Sequence, residues 1–208
     1  MVRIVFVALL LAASPAAAQY VVPLATPDGK VGCTQGMTGI GRIQHWEAVK
    51  DKDAPAGWAL AETSGDSTDL HFPFCLDVQT AARDFDAAMR FKILSGSHEQ
   101  AAGLMFRAQN ASDYFVAWAS ALRNAVKLYR VLGGRRTELA NKDTPVKAGA
   151  WHTMRVLAAK GSIEVWLDGA SMLTYKDRLP SQAGAVGVWT QSDSLVHFGQ
   201  LLLAPPAP

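Results

Sequence analysis

Tyr114 and Trp118 stand on one short apolar segment, Lys127 and Tyr129 on the next, and Arg107 closes the segment before them. With Leu104, Phe106, Phe115, Val126 and Leu128 turned into a core, the opposite strand faces present Arg90, Lys92, Arg107, Tyr114, Trp118, Lys127 and Tyr129. Aromatic rings stack on the apolar C–H face of a sugar, and cationic donors bond its hydroxyl or carboxylate oxygens. The set therefore predicts a saccharide- or glycoside-binding surface on a concave sheet. The alternative is that Tyr114 and Trp118 belong to a packing seam, because a slip of one residue through 114–129 reverses every side chain.

The carboxylates argue against ordinary glycosidase chemistry, which needs two of them flanking the scissile bond. No Glu-x-Asp-x-x-Glu strand occurs. Asp84 and Asp86 read as a solvated edge beside Arg83, and Glu164 and Asp168 as the exposed face of a hairpin. The acid/base candidates are His98 and Glu99, on the turn that enters the Arg107 segment, with a plain surface turn as the alternative. None of the five histidines stands four residues from another, and His152, with the parity of Met154 and Val156, reads as a satisfied inner or rim histidine. Metal-ligand spacing, nucleophile elbow, phosphate loop and dinucleotide fingerprint are all missing. No cofactor is expected, and a dispersed divalent metal is the open alternative.

These residues need a scaffold, and the chain describes one. Met1–Arg3 is a short basic region, Ile4–Ala13 an apolar run, and Ser14–Ala18 a stretch of small residues. That order predicts a secretory signal peptide over residues 1–18, too short to span a bilayer. The expected destination is the periplasm or the extracellular space. Of 208 residues, 20 are basic and 18 acidic, for a formal charge of +2, and this balance argues against a nucleic-acid partner. No further run is long enough for a membrane span, and the oligomeric state is not legible. Cys33 and Cys75 predict a disulfide in an oxidising compartment, with buried free thiols as the alternative.

Residues 19–56 read as an irregular lead-in, rich in Gly, Pro and Thr over Tyr20–Gly41 and with Trp46–Lys50 as a brief strand or helical turn, residues 57–203 as one β domain, and residues 204–208 as a Pro-rich tail. Within the domain, Ile163, Val165 and Leu167 alternate with Glu164, Trp166 and Asp168. Lys160-Gly161, Asp168-Gly169 and Gly133-Gly134 supply hairpin turns. Pro73 places His71–Leu76 at an edge or a bulge. About ten short strands without a helical period predict an all-β fold, a jelly-roll β-sandwich of two antiparallel sheets.

The blocks Ala102–Arg107, Asp113–Val116, Val126–Arg130, Gly134–Thr137, Trp151–Val156, Val165–Gly169 and Gly187–Thr190 carry a resemblance. In that order they resemble the concanavalin A-like jelly rolls of the 3-keto-disaccharide hydrolase domain family (domain of unknown function 1080), and more loosely laminin G domains. The resemblance spans about Gly57 to Leu203. It implies the sandwich fold, and it implies a hydrolase or lyase that opens the glycosidic bond of a 3-keto-glycoside. A carbonyl at C3 acidifies the neighbouring C–H, so base-assisted elimination needs one base rather than two carboxylates. Relatives often carry polar residues where this chain has Trp118, Ser120, Arg123 and Ala125, and Phe-Asp where it has Phe198-Gly199. Three functions follow: a carbohydrate-binding jelly roll, a 3-keto-glycoside lyase, or a non-catalytic protein-interaction module.

Overall fold

The computed structural model describes residues 19–55, 57–177 and 182–207; the expected signal peptide lies outside them. In chain order the strands are β1 (Tyr20–Val22), β2 (Thr34–Gly39), β3 (Trp46–Lys50), β4 (Trp58–Glu62) and β5 (His71–Ala82). Then come β6 (Phe85–Ser95), β7 (Ala101–Asn110), β8 (Asp113–Ser120), β9 (Ala125–Leu132) and β10 (Arg135–Asp143). The last five are β11 (Trp151–Ala159), β12 (Ser162–Leu167), β13 (Ala170–Lys176), β14 (Gly184–Thr190) and β15 (Leu195–Ala204). They form two antiparallel sheets. One has seven strands in the order β10-β9-β8-β7-β14-β5-β2. The other has eight, in the order β13-β12-β11-β6-β15-β4-β3, with β1 beside β15. The chain is an all-β sandwich of two antiparallel sheets, as its alternation and turns predict.

Two-residue turns set the register of three hairpins. At Gly133-Gly134, Lys160-Gly161 and Asp168-Gly169 both residues have positive φ, between 51° and 80°. This is the turn whose twist matches that of paired strands. Between the sheets lies one core, to which Leu104, Phe106, Phe115, Val126 and Leu128 contribute from one side. Met89, Phe91, Ile93, Val156, Ile163, Val165 and Phe198 come from the other. Phe106 packs edge-on against Phe85 at 5.4 Å and parallel to Phe115 at 5.7 Å. Cys33 and Cys75 form the disulfide, with a Cα–Cα distance of 5.5 Å.

Two expectations need correction. Residues 19–56 are not an irregular lead-in: they supply β1, β2 and β3, which pair with β15, β5 and β4. β1 and β2 are too short to show an alternation, β2 carries two Gly and two Thr, and both pair with strands distant in the chain. Nor does Pro73 make β5 an edge strand, because β5 pairs with both β14 and β2. Pro73 sits one residue beyond the last β14 pair, Trp189↔Phe74, so that ladder loses no donor.

Candidate functional site

The seven-stranded sheet has a second packed layer on the face turned away from the core. Tyr114, Val116 and Trp118 of β8, Trp189 of β14, Phe72 and Phe74 of β5 and Met105 of β7 all belong to it, and Tyr129 packs against it. Trp189 is completely buried, parallel to Phe72 at 5.6 Å and tilted against Trp118 at 6.4 Å. Gly103 lies beneath; a Cβ there would come within 2.9 Å of Trp189 and Val116. Tyr129 stacks on Trp118 at 6.1 Å with 13° between the planes.

Polar groups ring Tyr129. Its hydroxyl donates to Glu138 Oε2 at 2.8 Å, Lys127 Nζ donates to the same oxygen at 3.0 Å, and Asn141 Nδ2 donates to Oε1. The Gly133-Gly134 turn sets this arrangement by pairing Arg136 with Val131 and Glu138 with Tyr129. A bulge between Glu138 and Ala140 then brings Asn141, rather than Ala140, onto the same face opposite Lys127. Three donors to one carboxyl hold Glu138 below its ordinary pKa, in the order Tyr129, Lys127, Asn141. Burial and then the hydrogen bond to Glu138 push the Tyr129 hydroxyl up. Burial works against the Lys127 charge, but Glu138 and Tyr129 together outweigh it, so its pKa rises. Arg136 lies over the Phe72 ring at 4.6 Å and the Tyr129 ring at 4.8 Å, and donates from Nη1 to Gln191 Oε1 at 3.0 Å.

Of the expected surface residues, Tyr114, Trp118, Lys127 and Tyr129 share this face. They do not share its exposure. Tyr114 and Trp118 are 3% and 4% exposed, so they support the surface from below. The Tyr114 hydroxyl is occupied by a 3.0 Å hydrogen bond with Thr38 Oγ1. Tyr129 and Lys127 are half-buried and reach solvent.

The other three are elsewhere, and the single surface expected for them is corrected. Arg90 and Lys92 stand on β6, which belongs to the eight-stranded sheet. There they lie over the Trp151 ring at 5.2 and 5.0 Å, and Lys92 also pairs with Asp51 at 2.5 Å. Alternation gives a residue's face but not its sheet. Arg107 leaves the β7 alternation because its φ is +49°. Its buried guanidinium binds Asp177 Oδ2 at 2.9 Å and the Arg83 carbonyl at 2.8 Å. Burial lowers its pKa, and Asp177 works against that shift.

His98 and Glu99 do not join the site either. Glu99 is 3% exposed and accepts from Ser120 Oγ at 2.6 Å, Arg123 Nε at 3.2 Å and the Gln100 amide at 2.9 Å. Asp193 accepts the backbone N–H groups of Ser97, His98 and Glu99. These bonds fasten turns together and keep the Glu99 carboxyl buried. His152 is satisfied as expected, by Asp168 through Nδ1 at 2.7 Å and the Lys147 carbonyl through Nε2 at 2.9 Å. Among the described residues no group of three His, Cys, Asp or Glu side chains is placed to hold a metal ion.

Arg136, Glu138 and Asn141 escaped the reading of the sequence. The signal for the first two was present: a two-residue Gly-Gly turn fixes Arg135 opposite Leu132, and counting back places Glu138 against Tyr129. The bulge that adds Asn141 leaves no comparable mark.

The sandwich is similar to several solved structures. A carbohydrate-binding module, CBM66, from Bacillus subtilis matches with a TM-score of 0.64 and 18% identity, covering 82% of this chain and 94% of that one. A protein of unknown function with a galectin-like fold from Bacillus subtilis matches at 0.61 and 11% identity, covering 89% and 94%. The β-glucanase of Bacillus licheniformis matches at 0.60 and 11% identity, covering 93% and 100%. Identities this low establish the fold alone. Among curated proteins no sequence match is found. The family model of the 3-keto-alpha-glucoside-1,2-lyase-like domain matches residues 43–200, well over half of the sequence, and the chain belongs to that family.

Proposed function

We propose that this chain is an exported jelly-roll domain that binds a saccharide on the outer face of the seven-stranded sheet. One observation carries the reading: Tyr129 lies flat on Trp118, and Lys127, Arg136, Glu138 and Asn141 surround it with donors and acceptors. A pyranose asks for this pairing of an aromatic plane with polar groups at its edge. The similarity to a carbohydrate-binding module supports the reading. Export is supported by the disulfide, which persists in oxidising compartments, and by the basic-then-apolar order of residues 1–18. No helix among the described residues is long and apolar enough to cross a membrane.

The test is calorimetric titration of a glycan panel into the wild-type protein and Tyr129→Ala. At least one glycan should bind, and Tyr129→Ala should weaken it about tenfold, the scale of a lost stacking contact. Silence across the panel, or an unaffected variant, removes the reading.

A second reading is favoured by Glu138. Its carboxyl is held in the ionised form beside a phenol and an ammonium, and the family is named for a lyase acting on 3-keto-α-glucosides. Elimination needs only one base: Glu138 would take the C2 proton and the electron pair would pass into the C3 carbonyl; the pair would then return to form the C1–C2 double bond as the C1–O bond breaks, and the departing oxygen would take the proton back from Glu138. Lys127 or Arg136 would stabilise the enolate oxygen. Turnover of a 3-keto-glucoside, lost in Glu138→Gln while binding persists, would separate this reading from simple binding.

A further inference from the structure

The charges on this face are not evenly matched. Lys127 and Glu138 neutralise each other at 3.0 Å, with side-chain exposures of 27% and 34%. Arg136 has no carboxylate within ion-pair distance among the described residues, and Gln191 takes only one of its N–H groups. A guanidinium carries five such donors in one plane. Here its Cζ lies over two aromatic rings, 4.6 Å from the centre of Phe72 and 4.8 Å from that of Tyr129, and these contacts hold the side chain in place. Holding a long side chain this way removes much of the rotamer freedom that a ligand would otherwise have to freeze. The result is a pre-oriented fork next to the Tyr129 ring.

We propose that the saccharide recognised here is acidic, a hexuronic acid whose carboxylate accepts hydrogen bonds from Arg136 while its ring sits at the exposed edge of Tyr129. The proposal rests on the saccharide reading above and goes past it in naming the charge of the ligand. Three features of the face agree. Its two cations outnumber its single well-placed carboxylate, Glu138. The free guanidinium edge matches two coplanar oxygens better than scattered hydroxyls. Lys127, committed to Glu138, is not available for the same task.

The experiment compares each acid with its own neutral form, so no variant is needed for the first result. Trigalacturonate and triglucuronate are titrated into the wild-type protein beside their methyl esters, which keep ring, linkage and hydroxyls but lose the charge. The acid should bind about tenfold tighter than the ester at low salt, with the gap narrowing as salt rises. Arg136→Gln should close the gap between acid and ester, whatever it does to the affinity they share; Arg136→Lys should leave part of the gap, having charge without the fork. Equal affinities for acid and ester, with binding present, would overturn the acidic preference and leave the saccharide reading intact. Binding of neutral glycans alone would do the same. No binding of any saccharide would remove both.

Discussion

Glu138 is surrounded by a phenol, an ammonium and an amide, and its pKa follows from those neighbours. With the carboxyl below its ordinary 4.5, the ionised form persists into solutions where a free glutamate takes up a proton. Ligand binding or turnover that uses the carboxylate should therefore stay level as pH falls from neutral to about 4.5, and decline only below it. Titration at a series of pH values checks this; a decline already complete at pH 5 would show that Glu138 is not the group involved. At this scale the sequence was half legible. Parity along β8 and β9 gave Tyr114, Trp118, Lys127 and Tyr129 a common face, because period-two alternation is a backbone property. Their depth is a tertiary property, and it turned Tyr114 and Trp118 from contacts into supports.

Elements carry their own charges. Asp51 closes the hairpin between β3 and β4, where it pairs with Lys92 at 2.5 Å and His197 at 2.7 Å and accepts the Asp53 amide. Burial works against its charge, but Lys92, His197 and Asp53 outweigh it and lower its pKa from 3.8 to about 2. A depressed carboxyl contributes stability above its unfolded pKa and loses it as pH falls through the folded value. The window is therefore pH 4 to 2. Asp51→Asn should cost about 2 kcal/mol at neutral pH and flatten the acid limb of the stability curve. Denaturant titrations at pH 7 and pH 3 measure both, and an unchanged midpoint at pH 7 would contradict the assignment. The same pairing explains why Lys92 could not be assigned from its strand alone. Arg90 and Lys92 alternate with core residues as regularly as Lys127 does, and only the partners of β6, β11 and β15, show which sheet they serve.

Over the whole molecule the disulfide joins residues 42 apart, a loop whose closure is worth about 3–4 kcal/mol in chain entropy. Reduction, or replacement of both cysteines by alanine, should lower the melting temperature by about 10 °C. Calorimetry with and without reductant tests this, and an unchanged transition would place the stabilising effect elsewhere. The sandwich itself was legible because alternation and Gly turns repeat along most of the chain. The lead-in strands β1 and β2 were not, since they are short and pair with partners distant in the chain. One of those partners, β15, lies inside the eight-stranded sheet, with β6 on one side and β4 and β1 on the other. Until Leu195–Ala204 has been synthesised, those strands have no common neighbour, and the sheet exists only as separate pieces. Such non-local pairing folds slowly. The eight-stranded sheet is thus completed by β15, which joins β6 to β4 and β1.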